Sequence, residues 1–364
     1  MRVAVLGAGN SGLAMAAHLS KAGNNVVLWN RSKGKIVKLM ETQTIKCEGV
    51  VEGNIEINLV TDNLEEAVKN AEVILITTPA NAHRQLAEQL SDCLDREALI
   101  VLNPGRTFGA VEFQEAFGQC NQSFNPRIAE AQTIIYTCRK TEEDSVNIIT
   151  LKKEVLISTF GADQNDAIIS QLPVCIRPHL VPAKSMIETS IGNVGMILHC
   201  APLLLNAGWT ENKYSTYKYY YDGITPSIGK LLEKIDSERV EVSKRLGVEV
   251  ETTLEWLKRT YQVTGNTLFE CIRANKAYKT IDAPSSLDHR YIFEDVPYGL
   301  VPLEAVGKEL GLEMKYTTLI IDLANGLLEI DFRKNGRHLN ALLPKGDIGD
   351  LISLIGGKVV FDNV

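Results

Sequence analysis

Short runs of aliphatic and β-branched residues alternate with helical spacing through the first half of the chain, which predicts a parallel sheet covered by helices. The runs fall at 2–6, 25–29, 72–77 and 98–102, and the helical patterns at roughly 11–22, 33–42, 63–70 and 81–94. Residues 45–60, with Gly49 and Gly53, read as a small β excursion. Runs at 132–137, 146–151 and 154–159 predict further strands, the last two joined at Lys152-Lys153 as a hairpin, and a helix follows at 163–172. The segment from Leu172 to Pro182 carries three prolines and predicts a linker. From 184 the spacing changes to longer helices, at about 184–206, 224–245, 250–263 and 267–275. A proline-punctuated loop at 279–300 interrupts them, and helices near 302–311 and 315–329 follow. The expected fold class is α/β: an N-terminal Rossmann doubly wound sheet over 1–182, then an all-α domain over 183–364.

Composition narrows the partners. The chain is 45% hydrophobic and 23% charged, enough for two ordinary globular domains. A net charge of −7 argues against a nucleic-acid or anionic-membrane partner, and makes any cationic cluster more telling. Seven scattered cysteines without C-x-x-C spacing suit free thiols in a reducing compartment, and no zinc site is visible. The chain opens directly on a strand, which leaves no room for a cleavable signal, and no apolar run reaches bilayer length. A cytoplasmic protein is expected.

The first candidate chemistry is Gly7-Ala8-Gly9-Asn10-Ser11-Gly12, a G-x-G-x-x-G that follows a strand and opens a helix. Its glycines serve a tight turn, close approach of backbone to a pyrophosphate, and helix–strand contact, with the diphosphate at the helix N-terminus. The second strand ends in Asn30-Arg31-Ser32-Lys33. An NAD-selective site usually places an acid there to accept from the ribose 2′-hydroxyl. An amide, a guanidinium, a hydroxyl and an ammonium fit a 2′-phosphate instead, so NADP is favoured with NAD retained. The alternative is that Arg31 and Lys33 simply begin a solvated helix. Pro79, Ala80 and Asn103, at the carboxyl ends of two further strands, should border the same cofactor. Arg106 reads either as a phosphate or carboxylate contact or as an exposed residue.

The second half supplies candidate acid–base groups. Glu188, Gly192, Gly195 and His199 fall on one stripe of the expected 184–206 helix, with Asn193 to one side. Two glycines inside a helix cost roughly 1 kcal/mol each relative to alanine, so either a ligand or a close-packed element needs that face. Asn206-Ala207-Gly208 reads as a glycine C-cap. Downstream, His289-Arg290-Tyr291-Ile292-Phe293-Glu294-Asp295 packs an imidazole, a guanidinium and two carboxylates together before Val296-Pro297 stops an ordinary helix. Glu294 reads as exposed or structural. Tyr214, Tyr217, Tyr219, Tyr220 and Tyr221 either line a substrate pocket or pack domain on domain.

These blocks, together with Pro79-Ala80-Asn81-Ala82-His83-Arg84, Asn103-Pro104-Gly105-Arg106, Tyr136-Thr137-Cys138-Arg139 and Leu204-Leu205-Asn206-Ala207-Gly208, resemble the opine dehydrogenase family, octopine and nopaline dehydrogenases included. The likeness runs from residue 1 to about 330 and departs at Cys200, where a proline would follow the histidine; Pro202 stands nearby. It implies a reductive condensation in which a 2-oxo acid, pyruvate by default, and the amine of an amino acid form an imine that NAD(P)H reduces. On the matching residues it implies His199 as the acid/base, Asp295 as the group that orients and stabilises its imidazolium, and Arg290 as the clamp on a substrate carboxylate, with Asn193 beside the substrate. Two rivals stay open. A 2-oxo or 3-hydroxy acid reductase of the ketopantoate reductase type commonly uses a lysine on the corresponding helix, but Lys184 lies far from the glycine stripe. A non-catalytic NADP-binding regulator needs no His–Asp pair. Oligomeric state is open, a homodimer among the options.

Overall fold

The computed structural model describes residues 1–94, 97–121, 126–161, 164–342 and 347–356. They form two compact units, one of Met1–Gly105 with Gly109–Ser190 and one of Arg106–Phe108 with Ile191–Val364.

Among the described residues the first unit is built on twelve strands: β1 (Arg2–Leu6), β2 (Asn25–Trp29), β3 (Thr44–Gly49), β4 (Gly53–Glu56), β5 (Leu59–Thr61), β6 (Val73–Ile76), β7 (Leu99–Leu102), β8 (Arg127–Ala131), β9 (Tyr136–Glu142), β10 (Ser145–Leu151), β11 (Val155–Thr159) and β12 (Leu180–Pro182). Eight of them make one sheet in the order β12-β11-β8-β7-β6-β1-β2-β5, parallel throughout except for the β8–β11 pair. β1, β6 and β7 read as unbroken aliphatic runs because both faces of a central parallel strand are buried. Helices α1 (Asn10–Lys21), α2 (Val37–Thr42), α3 (Leu64–Val68), α4 (His83–Cys93), α5 (Gly109–Cys120) and α6 (Asn165–Gln171) also belong to the unit. The first residue of the expected 163–172 helix lies outside the described residues.

The β excursion is larger than its sequence suggests. β3 and β4 join β9 and β10 in a four-stranded accessory sheet, order β4-β3-β10-β9, which packs on α1. The expected hairpin at Lys152-Lys153 does not form. β10 pairs with β9 and β3 in the accessory sheet, whereas β11 pairs with β8 and β12 in the main one. The proline-rich segment is likewise no linker, since its end supplies β12 on the edge of the main sheet, where a strand tolerates proline. The run expected at 132–137 falls mostly between two strands: β8 ends before it, and only Tyr136 and Thr137 enter β9. Arg127-Ile-Ala-Glu-Ala hides a strand because Glu130 lies buried inside it, accepting from Thr189 Oγ1 (2.8 Å), Ser190 Oγ (2.5 Å) and the Ala110 N–H (3.0 Å).

The second unit is helical, its longest element Pro226–Arg245 opening with Thr225 as N-cap and proline at the first helical position. The expected 184–206 helix is broken into Met186–Ser190, which still belongs to the first unit, then Gly195–Leu198 and Cys200–Leu205. Two local causes suffice. Asn193 Oδ1 accepts from the Gly195 N–H (2.9 Å) and starts a new helix there. Pro202 has no N–H for the Leu198 carbonyl, so the ladder restarts at Cys200. Glu188, Gly192, Gly195 and His199 therefore do not share one helix face. Gly208 is not a C-cap either; it sits inside the short helix Ala207–Thr210. Asn206 ends the preceding helix, its Nδ2 donating to the Pro202 and Gly223 carbonyls at 2.8 Å. Downstream, Arg290–Phe293 forms one helical turn, Val296–Leu300 winds as a π-turn, and Val301–Glu309 continues as α-helix. No helix among the described residues is long and apolar enough to cross a membrane.

Candidate active site

The cofactor end lies in the first unit. Its strand order reverses between β1 and β6, and ligands of open α/β sheets sit at the carboxyl ends of strands beside such a reversal. Gly7 there holds φ +116°, a conformation that side-chain-bearing residues rarely adopt, and donates its N–H to the Trp29 carbonyl (2.8 Å). A Cβ on Gly12 would stand 1.7 Å from the Gly7 oxygen, so only glycine lets α1 approach the turn. At Gly9 nothing lies within 4 Å of the Cβ position, which leaves the open approach a diphosphate needs. A dinucleotide therefore fits this turn, and the first N–H groups of α1, Asn10 and Ser11 among them, are the candidates to hold its phosphates.

The residues expected around it divide into holders and contacts. Asn30 is a holder: its Oδ1 accepts from the Ala8 N–H (3.2 Å) and its Nδ2 donates to the Ser32 carbonyl (3.1 Å). Asn10 Oδ1 accepts from the Lys140 N–H (2.9 Å), tying the glycine turn to β9. Arg31 is exposed and donates from Nη1 to Gln85 Oε1 on α4 (2.9 Å). Pro79 leads into a single turn at Ala80–Ala82, with Ala80 buried. Asn103 is buried and donates from Nδ2 to the Val101 carbonyl (2.9 Å).

The acid–base centre lies in the second unit. His199 Nδ1 donates to Asp295 Oδ2 at 2.8 Å. A carboxylate only accepts, so Nδ1 carries the proton and Nε2 is the nitrogen able to take or give one. The other Asp295 oxygen, Oδ1, accepts from Arg106 Nη1 at 2.6 Å. Arg106 is buried and also donates to Glu294 Oε1 (Nε, 3.2 Å) and to Asn193 Oδ1 (Nη1, 3.2 Å). Burial alone would lower its guanidinium pKa; Asp295 and Glu294 raise it above the ordinary value instead. Burial would likewise raise the Glu294 carboxyl, but Arg106 and then Arg290 outweigh it and hold it well below the usual carboxylate range.

Arg106 is thus not the exposed residue its sequence allowed; it is a buried carboxylate contact, to Asp295 and Glu294 of this chain. It is the strut of the dyad, and residues 106–108 are stitched into this unit by Thr107, whose N–H donates to the Tyr298 carbonyl (3.2 Å) and whose carbonyl accepts from Arg337 Nη1 (2.7 Å). Gly195 makes room for it: a Cβ there would lie 2.5 Å from Arg106 Nη1 and 2.9 Å from Asn193 Oδ1. That close packing is what the helical glycine was for. Asn193 serves the same strut and the Gly195 backbone with its carboxamide oxygen. Arg290 directs Nε (3.1 Å) and Nη2 (2.7 Å) onto Glu294 Oε2 while its side chain stays half exposed. Glu294 therefore bridges both arginines, a structural part.

Tyrosines enclose the imidazole. The Tyr291 ring stacks on His199 at 4.3 Å between centroids and 10° between planes, and the Tyr219 hydroxyl donates to the His199 carbonyl. The rest of the tyrosine cluster does other work. Tyr217 stacks on Trp209, Tyr220 on Tyr278, Tyr221 donates to the Arg273 carbonyl, and Tyr214 is 99% exposed. Sequence reasoning missed the Arg106 strut and the Tyr291 stack. The available signal for the first was an arginine in a Pro-Gly turn of an acidic chain that later offers Glu294 and Asp295 side by side.

A family model described as NAD/NADP octopine/nopaline dehydrogenase, alpha-helical domain, matches residues 182–328, and one described as the NAD-dependent glycerol-3-phosphate dehydrogenase N-terminus matches residues 2–104. The chain is 35% identical over 340 residues to an opine dehydrogenase of Arthrobacter sp. (strain 1C), covering 93% of this chain and 94% of that one. It is similar in structure to octopine dehydrogenase with NADH and L-arginine, at a TM-score of 0.76 and 17% identity over 100% of both chains. It is also similar to NADP+-bound yersinopine dehydrogenase, at a TM-score of 0.76 and 15% identity over 97% of this chain and 96% of that one. These two solved structures share the fold of this chain.

Proposed function

The chain belongs to the opine dehydrogenase family and is an NAD(P)-dependent oxidoreductase acting on CH–NH bonds; from that premise we propose how its own residues join the amine of an amino acid to a 2-oxo acid such as pyruvate. The observation that carries the proposal is the His199 Nδ1 to Asp295 Oδ2 bond of 2.8 Å, which leaves Nε2 free of that partner for substrate.

The balanced reaction is 2-oxo acid plus primary amine plus NAD(P)H plus a proton, giving a secondary-amine dicarboxylate, NAD(P)+ and water. Neutral His199 takes the proton released as the amine adds to the carbonyl carbon. It returns that proton to the oxygen, giving a carbinolamine; a second proton, the one consumed in the balanced reaction, passes through the imidazole to the hydroxyl, which leaves as water as the carbon–nitrogen double bond of the iminium forms. Asp295 stabilises the imidazolium during this cycle and fixes its tautomer, and Arg106 keeps Asp295 in place. Bound NAD(P)H supplies the hydride that reduces the iminium carbon. Arg290 spends one edge on Glu294, and its half-exposed guanidinium keeps donors for a substrate carboxylate. We assign the cofactor preference to NADP, because Asn30, Arg31, Ser32 and Lys33 offer donors and no acid. The seven free cysteines fit action in a reducing cytoplasm.

The test is NADPH or NADH consumption with pyruvate, with and without a panel of amino acids. The expected result is consumption only when oxo acid and a suitable amine are both present. Equal consumption with the oxo acid alone would point to an oxo-acid reductase and overturn the proposal.

A further inference from the structure

We propose that Lys140, carried by the accessory sheet, supplies the ammonium that grips the 2′-phosphate of NADP at the glycine turn. This rests on the reading of the first unit as the dinucleotide site. The sheet that bears Lys140 is built against that turn. In β9 the Lys140 N–H donates to Asn10 Oδ1 (2.9 Å), and the Cys138 thiol donates to the Asn10 carbonyl (3.4 Å), so the strand is fastened to the first residue of α1. The Lys140 Nζ then reaches the Ala8 carbonyl at 3.3 Å. The N–H of that same Ala8 is held by Asn30, the residue that opens the Asn30–Lys33 loop. The ammonium and the loop therefore hold the two sides of one residue of the turn, Ala8.

Charge says what belongs there. Lys140 is half-buried and forms no ion pair among the described residues. Burial pushes its pKa down, and the Lys35 charge adds to that against the pull of Glu143 and Asp144. Those two acids are engaged elsewhere: Asp144 pairs with Lys38 Nζ (2.9 Å), and Glu143 accepts from the Lys38 N–H (2.8 Å). The loop from Arg31 to Lys35 adds Arg31, Lys33 and Lys35, all exposed, and no acid. A half-buried ammonium with Lys35 nearby, and no carboxylate paired to it among the described residues, gains from the arrival of an anion. The cofactor's diphosphate already has the N-terminus of α1. A phosphate monoester, carrying up to two charges, is the group that satisfies Lys140 and Lys35 together. A ribose hydroxyl is not.

The test is a direct binding titration of the full chain with NADPH and with NADH, read by cofactor fluorescence, so no turnover is needed. Lys140→Gln should raise the Kd for NADPH about tenfold or more, the scale of one charge-assisted contact, and leave NADH within about twofold. Lys140→Arg should restore most of the NADPH affinity, which excludes a folding defect as the cause. Equal weakening of both cofactors would give Lys140 to the diphosphate or to the turn's structure and overturn the inference, as would no change in either. A folded wild-type chain that bound neither dinucleotide would instead remove the cofactor site itself, a failure of the underlying reading that is distinguishable from both.

Discussion

Replacing His199 by alanine is expected to lower kcat for the amine-dependent reaction by about 10²–10⁴-fold, the range that a positioned acid–base group contributes. The Kd for NADPH should stay at its wild-type value, because the candidate cofactor residues belong to the first unit and this imidazole to the second. Asp295→Asn should also be slow while leaving the imidazole in place, since an amide neither fixes the tautomer as a carboxylate does nor offsets a developing imidazolium charge. The two lesions act on one unit, so the double variant should be little slower than His199→Ala alone. Steady-state kinetics with a saturating amine measures all three. Wild-type turnover by His199→Ala would remove the proposed acid.

Arg106→Leu should be the most destabilising single change near the site. Its guanidinium is buried between Asp295 and Glu294, and its loss takes the buried cation from both carboxylates, leaving them His199 and the half-exposed Arg290. Breaking a buried pair by deleting one partner costs about 3–5 kcal/mol. For a unit of this size that corresponds to a fall in melting temperature of roughly 6–20 °C. Arg290→Leu makes the informative contrast. That side chain is half exposed, so its pair with Glu294 should contribute under about 1 kcal/mol. Its cost should appear as a raised KM for the oxo acid. Thermal unfolding followed beside kinetics separates the two arginines: one is a strut whose loss melts the centre, the other a contact whose loss weakens substrate. An unchanged melting temperature for Arg106→Leu would contradict the buried network.

The legible parts of the chain were those whose cause is local. β1, β2, β6 and β7 are apolar runs with turn signals beside them, and the glycine turn carries its own geometry in three glycines. β8 was hidden because Glu130 looks solvent-seeking until Thr189 and Ser190 arrive from about sixty residues away to satisfy it. The hairpin expected at Lys152-Lys153 failed because strand neighbours in sequence can belong to different sheets, and only pairing partners far along the chain decide which. The broken helix around His199 was readable in principle, since Pro202 forbids a continuous ladder; apolar periodicity alone carried past it. The His199–Asp295 pair spans 96 residues and the Arg106–Asp295 pair 189, and no local pattern encodes either. The first was reached through resemblance to a family, and the second only through coordinates.

The central claim is that a new carbon–nitrogen bond is made and then reduced. The most direct measurement is mass spectrometry of the product formed from pyruvate, the amine and NADPH deuterated at the transferred position of C4. The expected mass is that of pyruvic acid plus amine, less one water, plus one hydrogen and one deuterium, with the deuterium on the former carbonyl carbon. A deuterated 2-hydroxy acid, with the amine recovered unchanged, would contradict it.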